Sequence, residues 1–136
     1  MKKAIPMAVA AAVLGVVLSG TAFAYKLGGQ VFFHTSEEAP CCEVTLWTAS
    51  GCGSGYLEGT TTDSCGDYAF QTQLTGGVTY YVKVRWGIME CAAWKYHGTC
   101  PATTVCEAVT IDPNGPNNQR HDVYLGLLYC YNDSCP

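Results

Sequence analysis

Basic residues are scarce. Seven Lys and Arg stand against eleven Asp and Glu in 136 residues, a net charge of −4. Such a chain has no electrostatic reason to seek nucleic acid, which needs clustered cations against phosphate. No acidic run is long enough to form a disordered tail. Cys-x-x-Cys is absent and no His follows a Cys at finger spacing, which removes the usual zinc frameworks. Gly-x-Ser-x-Gly, His-Glu-x-x-His and the phosphate loop are also missing, and with them the nucleophile elbow, the metalloprotease helix and the nucleotide cradle. Helical periodicity is lacking beyond the first 24 residues, and no apolar run reaches comfortably the roughly 20 residues of a membrane span. These absences leave no expected catalytic, cofactor or metal residue, and an enzyme is not expected.

What is present begins with export. Met1-Lys2-Lys3 is a short basic start, 4–18 is apolar, and Ala22-Phe23-Ala24 is the small-x-small pattern of a cleavage site. Residues 1–24 therefore read as a secretory signal peptide. No Cys follows the cleavage point, so a bacterial lipid anchor is not expected. Residues 25–136 are then one domain of ordinary size. Losing Lys2 and Lys3 leaves five basic against eleven acidic residues, net −6. Its place is outside the cytoplasm, in the medium, at the cell surface or in the periplasm.

All nine cysteines fall in the mature part: Cys41, Cys42, Cys52, Cys65, Cys91, Cys100, Cys106, Cys130 and Cys135. In an exported chain this density means disulfides. Spacing makes Cys130 with Cys135 a local pair and Cys52 with Cys65 a bridge across the middle strands. The odd count requires a free thiol, a symmetric bond between two copies of one Cys, or a bond to another protein.

The mature chain is a series of short alternating runs parted by Gly, Pro, Asn and Asp, the signature of strands. Runs are expected at 27–34, 42–48, 57–62, 68–72, 78–86, 103–111 and 121–128. The clearest is the fifth, with Val78, Tyr80, Val82, Val84 and Trp86 on one face and Thr79, Tyr81, Lys83 and Arg85 on the other. One wet face argues for antiparallel pairing. In the sixth run Glu107 falls among Val105, Val109 and Ile111, which a bulge would explain. The seventh turns Val123, Leu125 and Leu127 inward. Seven short strands in about 110 residues predict an all-β, seven-stranded antiparallel β-sandwich braced by disulfides.

The stretch from Gly59 to Phe70, GTTTDSCGDYAF, decides between a hairpin and a metal loop. Asp63 suits an Asx-turn, Gly66 suits a positive φ, and Tyr68 and Phe70 alternate inward. Calcium would need oxygen ligands at alternate positions, and Cys65 stands between Asp63 and Asp67. The stretch reads as a hairpin.

With Gly29-x-Val31, Val44-x-Leu46 and Leu74-x-x-Gly77-x-x-Tyr80-x-Val82 around it, this stretch resembles the pattern of prealbumin-like domains: the Cna protein B-type, SdrD B-like and carboxypeptidase regulatory-like domains. The resemblance covers about half of the mature chain and implies a seven-stranded sandwich used as a stalk, spacer or surface module. Many Cna B-type domains carry a Lys–Asn or Lys–Asp isopeptide bond. Here Lys26 lies before the first expected strand and Asn132 beyond the last, so disulfides are the expected brace. The ring-cleaving dioxygenases of similar fold hold iron with two Tyr and two His, but His34, His97 and His121 form no compact pattern with any Tyr. The Tyr-Arg-Gly-Ser ending of transthyretin-related hydrolases is absent.

The segment 88–106 joins the fifth and sixth strands, and long sandwich loops are where binding concentrates. Trp94, Tyr96 and His97 in it suit a sugar ring or a protein partner, or else Trp94 caps the core. Trp47, on the polar face of the second strand, is a further interface candidate. The expectation is a secreted structural subunit of an extracellular assembly such as a filament or sheath, partnered by itself or another extracellular protein. The alternative is a carbohydrate- or protein-binding module using Trp94 and Tyr96.

Overall fold

A computed structural model describes residues 25–87, 100–132 and 135, and the backbone at 96–97. The expected signal segment, Cys91 and Trp94 lie outside the described residues. The strands are β1 (Lys26–Phe32), β2 (Glu43–Trp47), β3 (Tyr56–Thr61), β4 (Asp67–Ala69), β5 (Thr79–Trp86), β6 (Tyr96–His97), β7 (Thr103–Thr110), β8 (Asn118–Arg120), β9 (Val123–Tyr124) and β10 (Tyr131–Asn132). Among the described residues the only helical element is a single 3-10 turn, Ser50–Cys52. None is long and apolar enough to cross a membrane. The chain is all-β, with two four-stranded sheets in a sandwich-like arrangement.

The sheets differ in pairing. The second has the order β3-β2-β5-β7 and is antiparallel throughout. The first has β1 at its centre, with β4 antiparallel on one side and β8 and β9 parallel on the other. It is thus mixed, where wholly antiparallel pairing was expected. The chain leaves the second sheet after β7, turns through 111–117 and enters the first sheet in the direction of β1. Two short strands, β6 and β10, pair with each other.

The strand count exceeds seven mainly because the expected strand at 121–128 is displaced and divided. β8 and β9 keep one register along β1, Gly28 facing Arg120 and Val31 facing Val123. Between them the Asp122 carboxylate replaces a ladder carbonyl, accepting the Gln30 N–H at 2.9 Å. The expected bulge at Glu107 is also absent, since β5 and β7 stay in register from Thr79–Thr110 to Trp86–Thr103. Lys26 and Asn132, placed outside the strands by sequence, lie in β1 and β10. The Asn132 amide donates to the Ser64 carbonyl at 2.6 Å.

The core lies between the sheets. Leu27, Val31, Phe33, Tyr68, Phe70 and Val123 come from one side and Val44, Leu46, Tyr80, Val82, Val84 and Trp86 from the other. Val78, expected inward, is exposed, because its N–H closes a turn onto Thr75 before β5 begins. The turn chemistry of 59–70 is as expected, since the Asp63 carboxylate accepts the N–H of Cys65 and of Asp67 at 2.9 Å and Gly66 has φ 77°. The stretch is not a hairpin, however: β3 pairs with β2 and β4 with β1, so the turn carries the chain from one sheet to the other.

Three disulfides are Cys52–Cys106, Cys65–Cys135 and Cys100–Cys130. Cys41 is also disulfide-bonded. The expected Cys52–Cys65 and Cys130–Cys135 pairs are therefore wrong. Between Cys52 and Cys65 runs the extended β3, about 20 Å for its six residues, so the two thiols stand at opposite ends of the sheet. Cys130 and Cys135 are each bonded to a distant partner, Cys100 and Cys65. Each observed link closes 30 to 70 residues and is worth roughly 2–4 kcal/mol.

Phe33 is fully buried and meets Trp86 edge to face at 4.9 Å. Phe33→Ala should cost about 3–5 kcal/mol, read as a lowered urea midpoint; a loss under about 1 kcal/mol would mean that this contact between the sheets is not central.

Candidate interaction surfaces

Trp47 ends β2 on the outer face of the second sheet. Its indole Nε1 donates to the Thr45 hydroxyl at 2.8 Å, Tyr56 meets it edge to face at 5.3 Å, and Lys83 Nζ stands 5.7 Å from its ring centre. A register shift between Leu46 and Trp47 carries Tyr56 across Gly59, where any Cβ would come within 2.7 Å of the Tyr56 hydroxyl. The result is an open groove of about 430 Å³ walled by Trp47 and Tyr56, with Glu43, Thr45 and Thr60 as its polar lining. Trp47 is half-buried in it, while Tyr56 is 55% exposed. Tyr56 was not expected as a site residue. Tyr96 and His97 pair with Asn132 and Tyr131 through the backbone, and their side chains lie outside the described residues.

A second surface is the β7 edge. Among the described residues β7 pairs only with β5. Ile111 N–H donates to the Val78 carbonyl across that pair, and alternation then aims the odd-numbered residues at β5. Thr104, Cys106, Ala108 and Thr110 direct their N–H and C=O groups away from β5. The strand is eight residues long and holds no Pro, Lys or Arg, but it carries Glu107 on its inner face, and an inward charge is one of the usual blocks on an edge.

A third surface lies near the chain end. Leu128 and Tyr129 are 69% and 75% exposed, Tyr131 is also exposed, and Tyr124 stacks on Phe32 at 5.0 Å.

Polar clasps close the two flanks between these surfaces. On the β7 flank Glu107, among half-buried valines of the inner face, meets His121 Nε2 at 2.8 Å. Tyr68 donates its hydroxyl to the His121 carbonyl, passing over Gly29, where a Cβ would lie 2.1 Å from that same oxygen. Burial, then the Asp122 and Glu107 carboxylates, raise the Tyr68 phenol well above its ordinary value. On the β3 flank the Glu58 carboxylate accepts the Gln71 and Thr72 N–H groups and the Thr72 hydroxyl at 2.7–2.8 Å. Burial opposes its charge, but these three donors hold the carboxyl below its usual range. Neither clasp is legible from local spacing, because each joins residues of different sheets.

Cys42 is the one free cysteine among the described residues and is buried. Burial pushes its thiol up to about 12, which keeps it protonated and inert at neutral pH. Of the options left open by the odd count, the buried thiol is the one observed. Among the described residues no three His, Cys, Asp or Glu side chains are grouped to hold a metal ion.

No family model, curated protein or solved structure matches the chain.

Cys42 sets an alkaline limit. Above the ordinary thiol value of 9.0 the unfolded chain releases a proton that the folded chain keeps, so stability falls as pH rises, by about 1.4 kcal/mol per pH unit and group. Between pH 9 and Tyr68's ordinary value of 10.0 this decline belongs to Cys42. Cys42→Ala should flatten it in urea titrations; an unchanged slope would remove Cys42 as its source.

Proposed function

We propose that the mature chain is a secreted structural subunit of an extracellular surface assembly such as a filament or sheath. The observation that carries this reading is the β7 edge: among the described residues, eight residues of strand paired on one side only, on a cross-linked sandwich. Such an edge offers backbone groups to another chain, although Glu107 sets a charge on its inner face. The exposed aromatics Tyr56, Tyr129 and Tyr131 add further sticking area. The resemblance to Cna B-type and related domains, many of them stalks and spacers, points the same way, and disulfides suit an oxidising compartment.

The Trp47–Tyr56 groove favours a second reading, an extracellular carbohydrate- or protein-binding module. Aromatic rings beside hydroxyl and carboxylate groups suit a sugar ring. Such a module stays monomeric, and its ligand is lost on Trp47→Ala, or on Trp94→Ala if the 88–106 segment contributes.

Size analysis of purified residues 25–136, with electron microscopy, separates the two. The subunit reading predicts large assemblies under native conditions that run as single chains in non-reducing denaturing gels, because the cross-links lie within one chain. A monodisperse monomer at every concentration and salt would reject it.

A further inference from the structure

We infer that the outer face of the second sheet binds an acidic glycan, a polysaccharide bearing carboxylate groups, with Trp47 and Tyr56 holding a sugar ring and Lys83 and Arg85 meeting its carboxylates. This inference rests on the second reading, the binding module, and names its ligand class; it holds whether or not the chain assembles.

The pairing register lays this face out in rows. Tyr56, Trp47 and Tyr81 lie abreast on β3, β2 and β5. Gly59, Thr45 and Lys83 form the next row, and Thr61, Glu43 and Arg85 the one after. Along β2 and β5 the rows are two residues apart, about 7 Å. The face thus grades from aromatic, through small, to charged. The groove of about 430 Å³ runs across all three rows between β3 and β2. Gly59 and Thr45 give it a low floor, and Tyr56 leans over that floor, its hydroxyl standing where a Gly59 Cβ would be only 2.7 Å away. Lys83 and Arg85 border the groove from β5, opposite Thr45 and Glu43.

A sugar ring has an apolar C–H face that packs on aromatic rings and a rim of hydroxyls that needs donors and acceptors. The groove offers both. Among the described residues no hydrogen bond engages the Tyr56 hydroxyl. Arg85 meets Glu43 through one guanidinium nitrogen and one carboxylate oxygen, at 3.2 Å, which leaves Glu43 Oε2 and the other Arg85 N–H groups to a ligand. The groove is open and not recessed, which suits a flat ring more than a peptide side chain. Charge then selects the class of glycan. Glu43, Lys83 and Arg85 are the charged residues of this face, net +1, on a mature chain of net −6. Glu43 is matched by Arg85. Lys83 has no carboxylate at ion-pair distance among the described residues; its Nζ lies 5.7 Å from the Trp47 ring centre, near the outer reach of a cation–π contact. A carboxylate carried by a sugar at Trp47 therefore finds Lys83 unclaimed and the free side of the Arg85 fork beside it. The rest of the chain is acidic on balance, so a polyanion is steered to this face.

Affinity electrophoresis tests this with polymers that differ only in charge. Native gels containing polygalacturonate should retard the mature chain. Its highly methyl-esterified form keeps the rings and loses the carboxylates, and should bind several-fold more weakly. Lys83→Gln should lower binding of the acid to that of the ester and leave the ester unchanged. Added salt should weaken only the acid. Tyr56→Ala, at an exposed position outside the core, should weaken both. Alginate and hyaluronate repeat the acid arm with other uronate sugars. Equal binding of acid and ester, or acid binding indifferent to Lys83→Gln, would overturn the acidic class and leave the binding-module reading in place. Acid binding undiminished by Tyr56→Ala would mean charge attraction without the groove and would overturn the inference. Failure of all these acidic polymers to retard the chain would overturn it as well; the carbohydrate-binding reading falls with it only if the ester and neutral xylan are also not held.

Discussion

Cys52–Cys106, Cys65–Cys135 and Cys100–Cys130 each fasten a turn or a tail to a distant part of the fold. A two-layer sandwich of this size buries only a modest core, and its strand ends and edges are where it opens first. The links act there. Cys65 holds the turn between β3 and β4 to the chain end, Cys106 holds β7 to the turn after β2, and Cys100 holds the approach to β7 beside the approach to β10. The apolar core then has fixed borders.

Within those borders polar groups do work that apolar packing cannot. Glu58 and the Glu107–His121 pair each span the gap between sheets at one flank. Both are partly exposed, so their contribution is positional more than energetic: they set which strand of one sheet lies over which strand of the other. Gly29 shows how local sequence serves this arrangement. Its missing Cβ lets the Tyr68 hydroxyl cross β1 to the His121 carbonyl, locking the parallel strand in place.

Much of this was open to a reader of the sequence. β5 is legible because eight residues alternate without a break, and the turn at 63–67 because Asp63 and Gly66 carry local turn chemistry; that it joins two sheets, and not two paired strands, was not. What depends on distance in space was not legible. The cysteine pairing follows from which strand ends lie together, and sequence proximity favoured two wrong bridges. Glu107 read as a bulge because its partner His121 sits in the other sheet. The seventh strand read as continuous and displaced because Asp122 imitates a ladder carbonyl with its side chain. Trp47 stood out in the sequence as an interface candidate, but Tyr56, which packs against it, did not, since only a register shift beside Gly59 brings them together.

The most direct measurement is a disulfide map: the folded chain is treated with a thiol-blocking reagent, digested without reduction and analysed by mass spectrometry. The account predicts linked peptides joining Cys52 to Cys106, Cys65 to Cys135 and Cys100 to Cys130, with Cys42 blocked only after unfolding. A map that instead joins Cys52 to Cys65 or Cys130 to Cys135, or that finds Cys42 bonded to a second chain, would contradict it.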